Sequence, residues 1–284
     1  METPTTGFAP INAGFLTKTW VRLVHKVLSN RHVQKWRNDP GGVIFVSSKL
    51  VLKSTPFTRL AEAHAMQFVS ENTSIPVPTV ISAFEHKGRT FILMERIEGQ
   101  RLSQGWVQRP DKSKTRILSQ LKAMTEQLRG IQPPQDIRGV CDVTGGPVYD
   151  PRFAKESTWG PFPTIGAFHK VLRFGQEVED FNEHQLSNHP GFADLVAFHR
   201  QPWPTTYFTH GDLSSLNIIV RGDDVVGIID WETAAWMPPY WEYTTAWHVN
   251  PQNMFWQEEV DKFIAPDPHA LEMEKIRRKY FGDF

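Results

Sequence analysis

His210-Gly211-Asp212-Leu213-Ser214-Ser215-Leu216-Asn217-Ile218-Ile219-Val220, followed by Ile228-Ile229-Asp230-Trp231-Glu232, is the stretch on which the reading of this chain turns. Asp212 stands five residues before Asn217, and Asp230 thirteen after it. An aspartate so spaced can take the proton of an attacking hydroxyl. The asparagine and the second aspartate offer oxygens that can hold Mg²⁺ against the phosphates of a nucleotide. Transfer of a phosphoryl group asks little covalent chemistry of a protein, so positioning and electrostatics carry the catalysis. His-Gly-Asp alone also makes ordinary tight turns, and its surroundings add to it. Tyr207-Phe208-Thr209 reads as a strand leading in and Asn217-Ile218-Ile219-Val220 as a strand leading out. Gly222-Asp223-Asp224 reads as a turn before a third strand, Val225-Val226-Gly227-Ile228-Ile229. Asn217 and Asp230 then sit at opposite ends of a hairpin, which can bring both to one metal. The alternative is a surface hairpin carrying loop carboxylates.

This block resembles the aminoglycoside phosphotransferase and choline kinase group, and most of all the phosphotransferase-family proteins common in fungi. The resemblance implies an α+β, protein-kinase-like two-lobed fold with a nucleotide held between the lobes. A small N-terminal β-sheet lobe with one helix, preceded by an N-terminal helix, takes residues 1–94. A hinge takes 95–99, and a larger, mainly helical lobe for catalysis and acceptor binding takes 100–284. The resemblance makes Asp212 the catalytic base, Asn217 and Asp230 the metal ligands, and His210 a structural brace of the loop. ATP and Mg²⁺ are the implied cofactors.

Composition agrees with such a chain without selecting it. The 284 residues are long enough for one large domain or two lobes. An apolar fraction of 40% and a charged fraction of 22% are those of an ordinary soluble globular protein. Lys plus Arg equals Asp plus Glu at 31 each, so no global field points to nucleic acid or an anionic membrane. The single Cys141 excludes an internal disulfide and a cysteine metal cluster. No apolar run has the length of a membrane span, and Met1-Glu2-Thr3-Pro4 does not open a signal peptide. The expectation is a soluble, cytoplasmic protein.

In the first lobe, Phe15, Trp20, Leu23, Val24, Val27 and Leu28 recur at helical spacing and predict an amphipathic helix over 15–28. Asn38-Asp39-Pro40-Gly41-Gly42 signals a turn, and 43–46 and 50–53 read as strands joined around Ser47-Ser48. A helix over 58–72, with Leu60, Ala61, Ala65, Phe68 and Val69 as its buried stripe, stops before Ile75-Pro76. Strands 80–84 and 90–94 close a hairpin around His86-Lys87-Gly88. Lys53 ends a strand, and Glu62 follows nine residues later. Taken alone, they read as an exposed strand-end lysine and a solvated helix carboxylate. The resemblance instead makes Lys53 the holder of the α- and β-phosphates and Glu62 its ion-pair partner. It places the adenine-binding hinge at Met94, Glu95 and Ile97, where backbone groups leave ATP and GTP undistinguished. The phosphate-covering loop departs from the family pattern: no Gly-x-Gly-x-x-Gly occurs, and only Gly41-Gly42 or Ser47-Ser48 can serve.

The second lobe opens with a helical stripe over 111–130. Residues 131–166 are rich in glycine and proline with little expected regular structure, and a segment that long is often functional. Within it, Gly145-Gly146-Pro147 through Asp150-Pro151-Arg152 looks like the fungal members of the family. Helices over 168–182 and 190–200 either shape an acceptor pocket or simply pack the lobe. Terminal helices are expected at 255–263 and 268–280. After Asp230 come Trp231, Glu232, Trp236, Tyr240, Trp241, Glu242, Tyr243 and Trp247. Such a run can cradle a cationic small-molecule acceptor or pack a core; core suits most of these residues, with Trp231 and Glu232 set apart by following Asp230. The reading is a Mg²⁺-dependent small-molecule kinase that moves the ATP γ-phosphate to an alcohol. The rival is a pseudokinase that binds nucleotide or scaffolds partners, motivated by the missing glycine-rich loop. Transfer to a protein hydroxyl fits less well, because Trp-Glu follows Asp230 where protein kinases carry Phe-Gly.

Overall fold

The computed structural model describes residues 8–31, 33, 43–135, 137, 139–153, 158–248 and 254–282. The chain forms two compact units, Met1–Gln104 with Leu216–Glu232 and Gly105–Ser215 with Thr233–Phe284. This division differs from the one expected at 94 and 100. Gln100–Arg101 pairs with Ile218–Arg221, which ties both segments to the first unit.

The first unit is built on a four-stranded antiparallel sheet, β1 (Val43–Phe45), β2 (Leu50–Lys53), β3 (Val80–His86) and β4 (Arg89–Glu95), in the order β1-β2-β4-β3. The β3–β4 turn is made by Lys87 and Gly88, both at positive φ (52° and 71°), as a two-residue hairpin requires to match strand twist. Helix α1 (Phe15–Leu28) covers one face, where Val21, Leu52, Phe84, Phe91 and Leu93 form a buried cluster.

The expected stripe of α1 is largely not the one that packs. Val21 is buried and Val24 and Leu28 are half-buried, whereas Phe15, Trp20, Leu23 and Val27 face solvent. Periodicity locates an apolar face but does not say what meets it, and the sheet meets the neighbouring side. Helix α2 (Leu60–Asn72) starts two residues later than expected. Ahead of it Thr55 and Thr58 exchange hydrogen bonds, each backbone N–H donating to the other's hydroxyl. Its buried side carries Glu62, Ala63 and Met66 with Leu60, Ala65 and Val69, while Ala61 and Phe68 are only half-buried.

A second, three-stranded sheet places Ile218–Arg221 between Gln100–Arg101 and Asp224–Ile228. A side chain at Gly99 would lie 2.6 Å from Ile219 Cγ2, so glycine is needed where the chain enters this sheet.

The second unit is mainly helical. Asp111–Gly130 is helical as expected. The helix expected over 168–182 is Ile165–Leu172, followed by a short 3₁₀ turn at Val178–Asp180. It is interrupted because Phe174 and Gly175 take positive φ (53° and 78°). Phe192–Arg200, Met254–Val260 and Pro268–Phe281 complete the expected set within a few residues. The glycine- and proline-rich stretch is more ordered than expected. Val148–Tyr149 pairs with Thr158–Trp159, and Val140 and Cys141 bridge to Phe162 and Trp236.

Deep in this unit the rings of His169 and His199 stack at 4.1 Å. His169 Nδ1 donates to the His199 carbonyl and its Nε2 meets the Tyr240 hydroxyl, while His199 Nδ1 accepts from Arg173. The His199 ring, accepting from a guanidinium, is therefore neutral. Burial pushes His169 down to about 4, and burial with the neighbouring positive charges holds His199 well below its ordinary value. An unfolded histidine takes its proton near pH 6.5, so this stability is full above that pH and is lost as pH falls toward 4. The His169 shift alone corresponds to about 3 kcal/mol. Urea unfolding at pH 7.5, 6 and 5 should show falling stability, with most of the slope removed in the His169→Phe/His199→Phe double variant. Equal slopes in the two proteins would refute it.

Candidate active site

In the first unit the chemistry gathers on Lys53, at the end of β2 opposite Val43 and Ile92. Its ammonium lies 2.9 Å from both carboxylate oxygens of Glu62, 2.6 Å from Asp230 Oδ1 and 3.3 Å from Glu232 Oε2. Glu62 is brought there from the buried side of α2, so neither Lys53 nor Glu62 is the exposed residue that composition alone suggests. Burial works against the lysine's charge, but Glu62, Asp230 and Glu232 outweigh it and raise its pKa. Burial pushes the Glu62 carboxyl up to about 7, with Lys53 opposing.

Asn217 and Asp230 reach this unit through the predicted hairpin. Its register pairs Ile228 with Ile218, and Ile229 N donates to Asn217 O at 2.9 Å. The two ends of the hairpin in sequence are thus one end in space. Asp230 has φ +67°, a conformation aspartate tolerates better than most side chains. Glu62, Asp230 and Glu232 each turn an oxygen to within 4.8 Å of the others.

The hinge residues lie at the other end of the sheet. Met94 is buried and pairs with Val51, and Glu95 pairs with Leu50 and accepts from the Thr79 hydroxyl. Arg96 N donates to Lys49 O. Glu95 and Ile97 border an open groove of about 780 Å³ with Lys49, Thr79 and Arg221. Of the two segments considered for the phosphate loop, Ser47-Ser48 turns at the hinge end of the sheet, beyond Leu50 and so more than three strand positions, or roughly 10 Å, from Lys53. Gly41-Gly42 immediately precedes Val43, the partner of Lys53, but lies outside the described residues together with the turn expected at 38–42.

In the second unit, strand Tyr207–Thr209 pairs with Ala235–Met237 and delivers the His210-Gly211-Asp212 loop. Nearly every backbone group of this loop is held. Glu242 accepts from His210 N at 2.6 Å and Gly211 N at 3.2 Å. Asp212 N donates to His210 Nδ1 at 3.1 Å, and the Thr233 hydroxyl donates to His210 O. Arg152 donates to Gly211 O while Asp150 grips its guanidinium with two bonds of 2.7 Å. Gly211 has φ +79°, and a side chain there would come within 2.8 Å of Thr233 O. The loop thus presents the half-buried Asp212 from a fixed backbone.

Three contributors to this bracing escaped the sequence reading. Asp150 and Arg152 belong to a motif whose role gave no signal, because only folding brings residue 152 to 211. Glu242 stood in the acidic and aromatic run, for most of which packing in the core was the expectation; the structure departs from that reading only at Trp231, which was set apart and is buried with the rest. Trp231, Trp236, Tyr240, Trp241 and Tyr243 are buried, Glu242 braces the loop, and Glu232 turns to Lys53. Trp247 carries the ammonium of Lys275 at 4.8 Å over its ring. Most of the run is therefore core and scaffold.

A small antiparallel sheet with its lysine–glutamate pair, joined to a helical unit bearing a braced His-Gly-Asp loop, defines a protein-kinase-like fold. Solved structures agree on the fold. The chain superimposes with a TM-score of 0.58 on a thermostable aminoglycoside phosphotransferase APH(4)-Ia variant in complex with ADP and hygromycin B, at 14% identity over 83% of this chain and 78% of that one. It superimposes with a TM-score of 0.53 on the gentamicin complex of APH(2")-IIa, at 14% identity over 84% and 77%. Comparison with curated protein sequences gives no match. The chain belongs to the phosphotransferase enzyme family, whose model matches residues 21–274.

Proposed function

We propose that this protein transfers the γ-phosphate of ATP to the hydroxyl of a small molecule. The observation that carries the reading is the Lys53 ammonium, buried and clasped by Glu62 and Asp230. An isolated lysine in such a place would lose its proton, and three carboxylates keep it charged and extended. In this reading Lys53 steadies the α- and β-phosphates and Glu62 holds Lys53. Asp212 orients the acceptor hydroxyl and takes its proton as the bond to phosphorus forms.

Asn217 and Asp230 are hard oxygen donors of the kind Mg²⁺ prefers, and the carboxylate excess around Lys53 suits a dication. Bound there, Mg²⁺ would neutralise charge on the phosphates. Backbone groups at Met94, Glu95 and Ile97 are assigned to the adenine, and Gly41-Gly42 remains the candidate cover of the phosphates. The acceptor's chemical class rests on kinship alone. Relatives solved with hygromycin B and gentamicin make cationic alcohols the first class to screen, and equal turnover of neutral alcohols would remove that preference.

Thermal unfolding with and without Mg²⁺-ATP tests the reading. A ligand that binds only the native state stabilises it by about 2.7 kcal/mol at a hundredfold excess over Kd. The wild type should show a metal-dependent rise in Tm, and Asp230→Ala should lose it. A wild type indifferent to both ATP and GTP at millimolar concentration would favour the scaffold instead.

A further inference from the structure

Helix α1 presents to solvent the side chains that a buried helix would hide. Phe15 and Leu16 are 82% and 80% exposed, Leu23 59%, Val27 51% and Trp20 45%. Leu16, Trp20, Leu23 and Val27 follow at i, i+4, i+7 and i+11, one continuous ridge along about 16 Å of the helix. Single exposed apolar residues are ordinary, but a contiguous ridge of this kind marks a contact surface.

The charge along the helix itself has one sign. Lys18, Arg22 and Lys26 recur every four residues along the helix, and from Phe8 to Arg31 the chain has neither Asp nor Glu. The sheet edge beneath adds to it. His86 pairs with Arg89 in the hairpin, and the exposed Lys87 makes the turn between them. Arg89 reaches His25 of α1 at 3.3 Å. Glu85 pairs with Thr90 and, by strand alternation, belongs to the opposite face of the sheet. Desolvation, followed by the positive charges of Arg22, Lys87 and Lys18, depresses the pKa of His86.

We propose that the outer face of α1 is a docking surface for an anionic lipid bilayer, with Leu16, Trp20, Leu23 and Val27 entering the interface and Arg22, Lys26, Lys87 and Arg89 meeting the headgroups. An apolar ridge with Trp and Leu, flanked by Lys and Arg and free of acids, is the pattern of a helix that lies in the plane of a membrane surface. A second copy of this chain fits less well, because antiparallel or parallel pairing of two such helices would bring Arg22 and Lys26 toward like charges. The attachment is peripheral: among the described residues no helix is long and apolar enough to cross a membrane.

The test is co-sedimentation of the full chain with vesicles of phosphatidylcholine alone, or with phosphatidylserine as a minority component, at low and at about 0.15 M salt. The wild type should pellet with the anionic vesicles, weakly with the neutral ones, and less as salt rises. Trp20→Glu/Leu23→Glu should weaken partitioning by about tenfold or more, and Arg22→Glu/Lys26→Glu should do likewise while flattening the salt dependence. Tm and its response to Mg²⁺-ATP should not move, since all four residues are exposed. Should the apolar variant fail to fold, the charge variant and the wild-type salt series decide alone. Absence of wild-type binding to anionic vesicles overturns the proposal and points to an acidic protein partner. Equal binding by wild type and both variants overturns it as well. A concentration-dependent dimer that Leu23→Glu disperses, without vesicle binding, assigns the face to a second copy.

Discussion

Asp212→Asn is expected to lower the rate of phosphoryl transfer by about 10²–10⁴-fold, the usual contribution of a general base, with nucleotide binding close to wild type. The amide keeps the size of the carboxylate but cannot accept the hydroxyl proton. The backbone around it is insulated from the change. Asp212 N is held by His210 Nδ1 and its carbonyl by Ser214 N, while Glu242 and Arg152 fix the two residues before it. Lys53 and Asp230, the proposed nucleotide and metal ligands, belong to the other compact unit. Single-turnover transfer with labelled ATP, paired with the Mg²⁺-ATP shift in Tm, separates the two roles. A variant that keeps more than a tenth of the wild-type rate would take the base role away from Asp212. A variant that also loses the nucleotide shift would point to damage beyond the proton.

Glu242→Leu should destabilise the protein by about 3 kcal/mol, because two buried N–H groups, those of His210 and Gly211, lose their acceptor together. For a chain of this size that is a fall in Tm of roughly 6–12 °C. Desolvation raises the Glu242 carboxyl above its ordinary range, while His210 and the two N–H groups pull it back. Glu242→Gln removes the buried charge but keeps one acceptor oxygen, so it should recover much of the stability and part of the transfer rate. Calorimetry on both variants checks the order wild type, Gln, Leu. If Glu242→Leu melts within a degree of wild type, the loop is braced by other means. If Gln is no better than Leu, the carboxylate matters for its charge and not for the hydrogen bonds it accepts.

The division between what could be read and what could not follows the range of the interactions. The hairpin that carries Asn217 and Asp230 was legible because turn residues and strand alternation are local, and its register then joins the two ends without further information. Lys53 and Glu62 were legible only through resemblance. Burial of a charged pair contradicts what lysine and glutamate do on average, and nothing near either residue announces the exception. Helix α1 shows the opposite failure. Its amphipathic spacing was correct as a helix and misleading as a core, since a ridge facing solvent has the same period as one facing a sheet.

The sequence by itself determined most helices of the chain, the strands and turns of the 80–94 and 218–228 hairpins and the spacing of the three acid–amide residues, because these depend on side chains only a few positions apart. Only the tertiary structure decided that Arg152 and Glu242 close on the His210–Asp212 loop, that Trp231 joins the core, and that α1 offers its apolar ridge to the outside. Those outcomes depend on which distant groups share one low-dielectric space, where an unpaired charge or N–H is costly and a partner must be found however far away it lies in the chain.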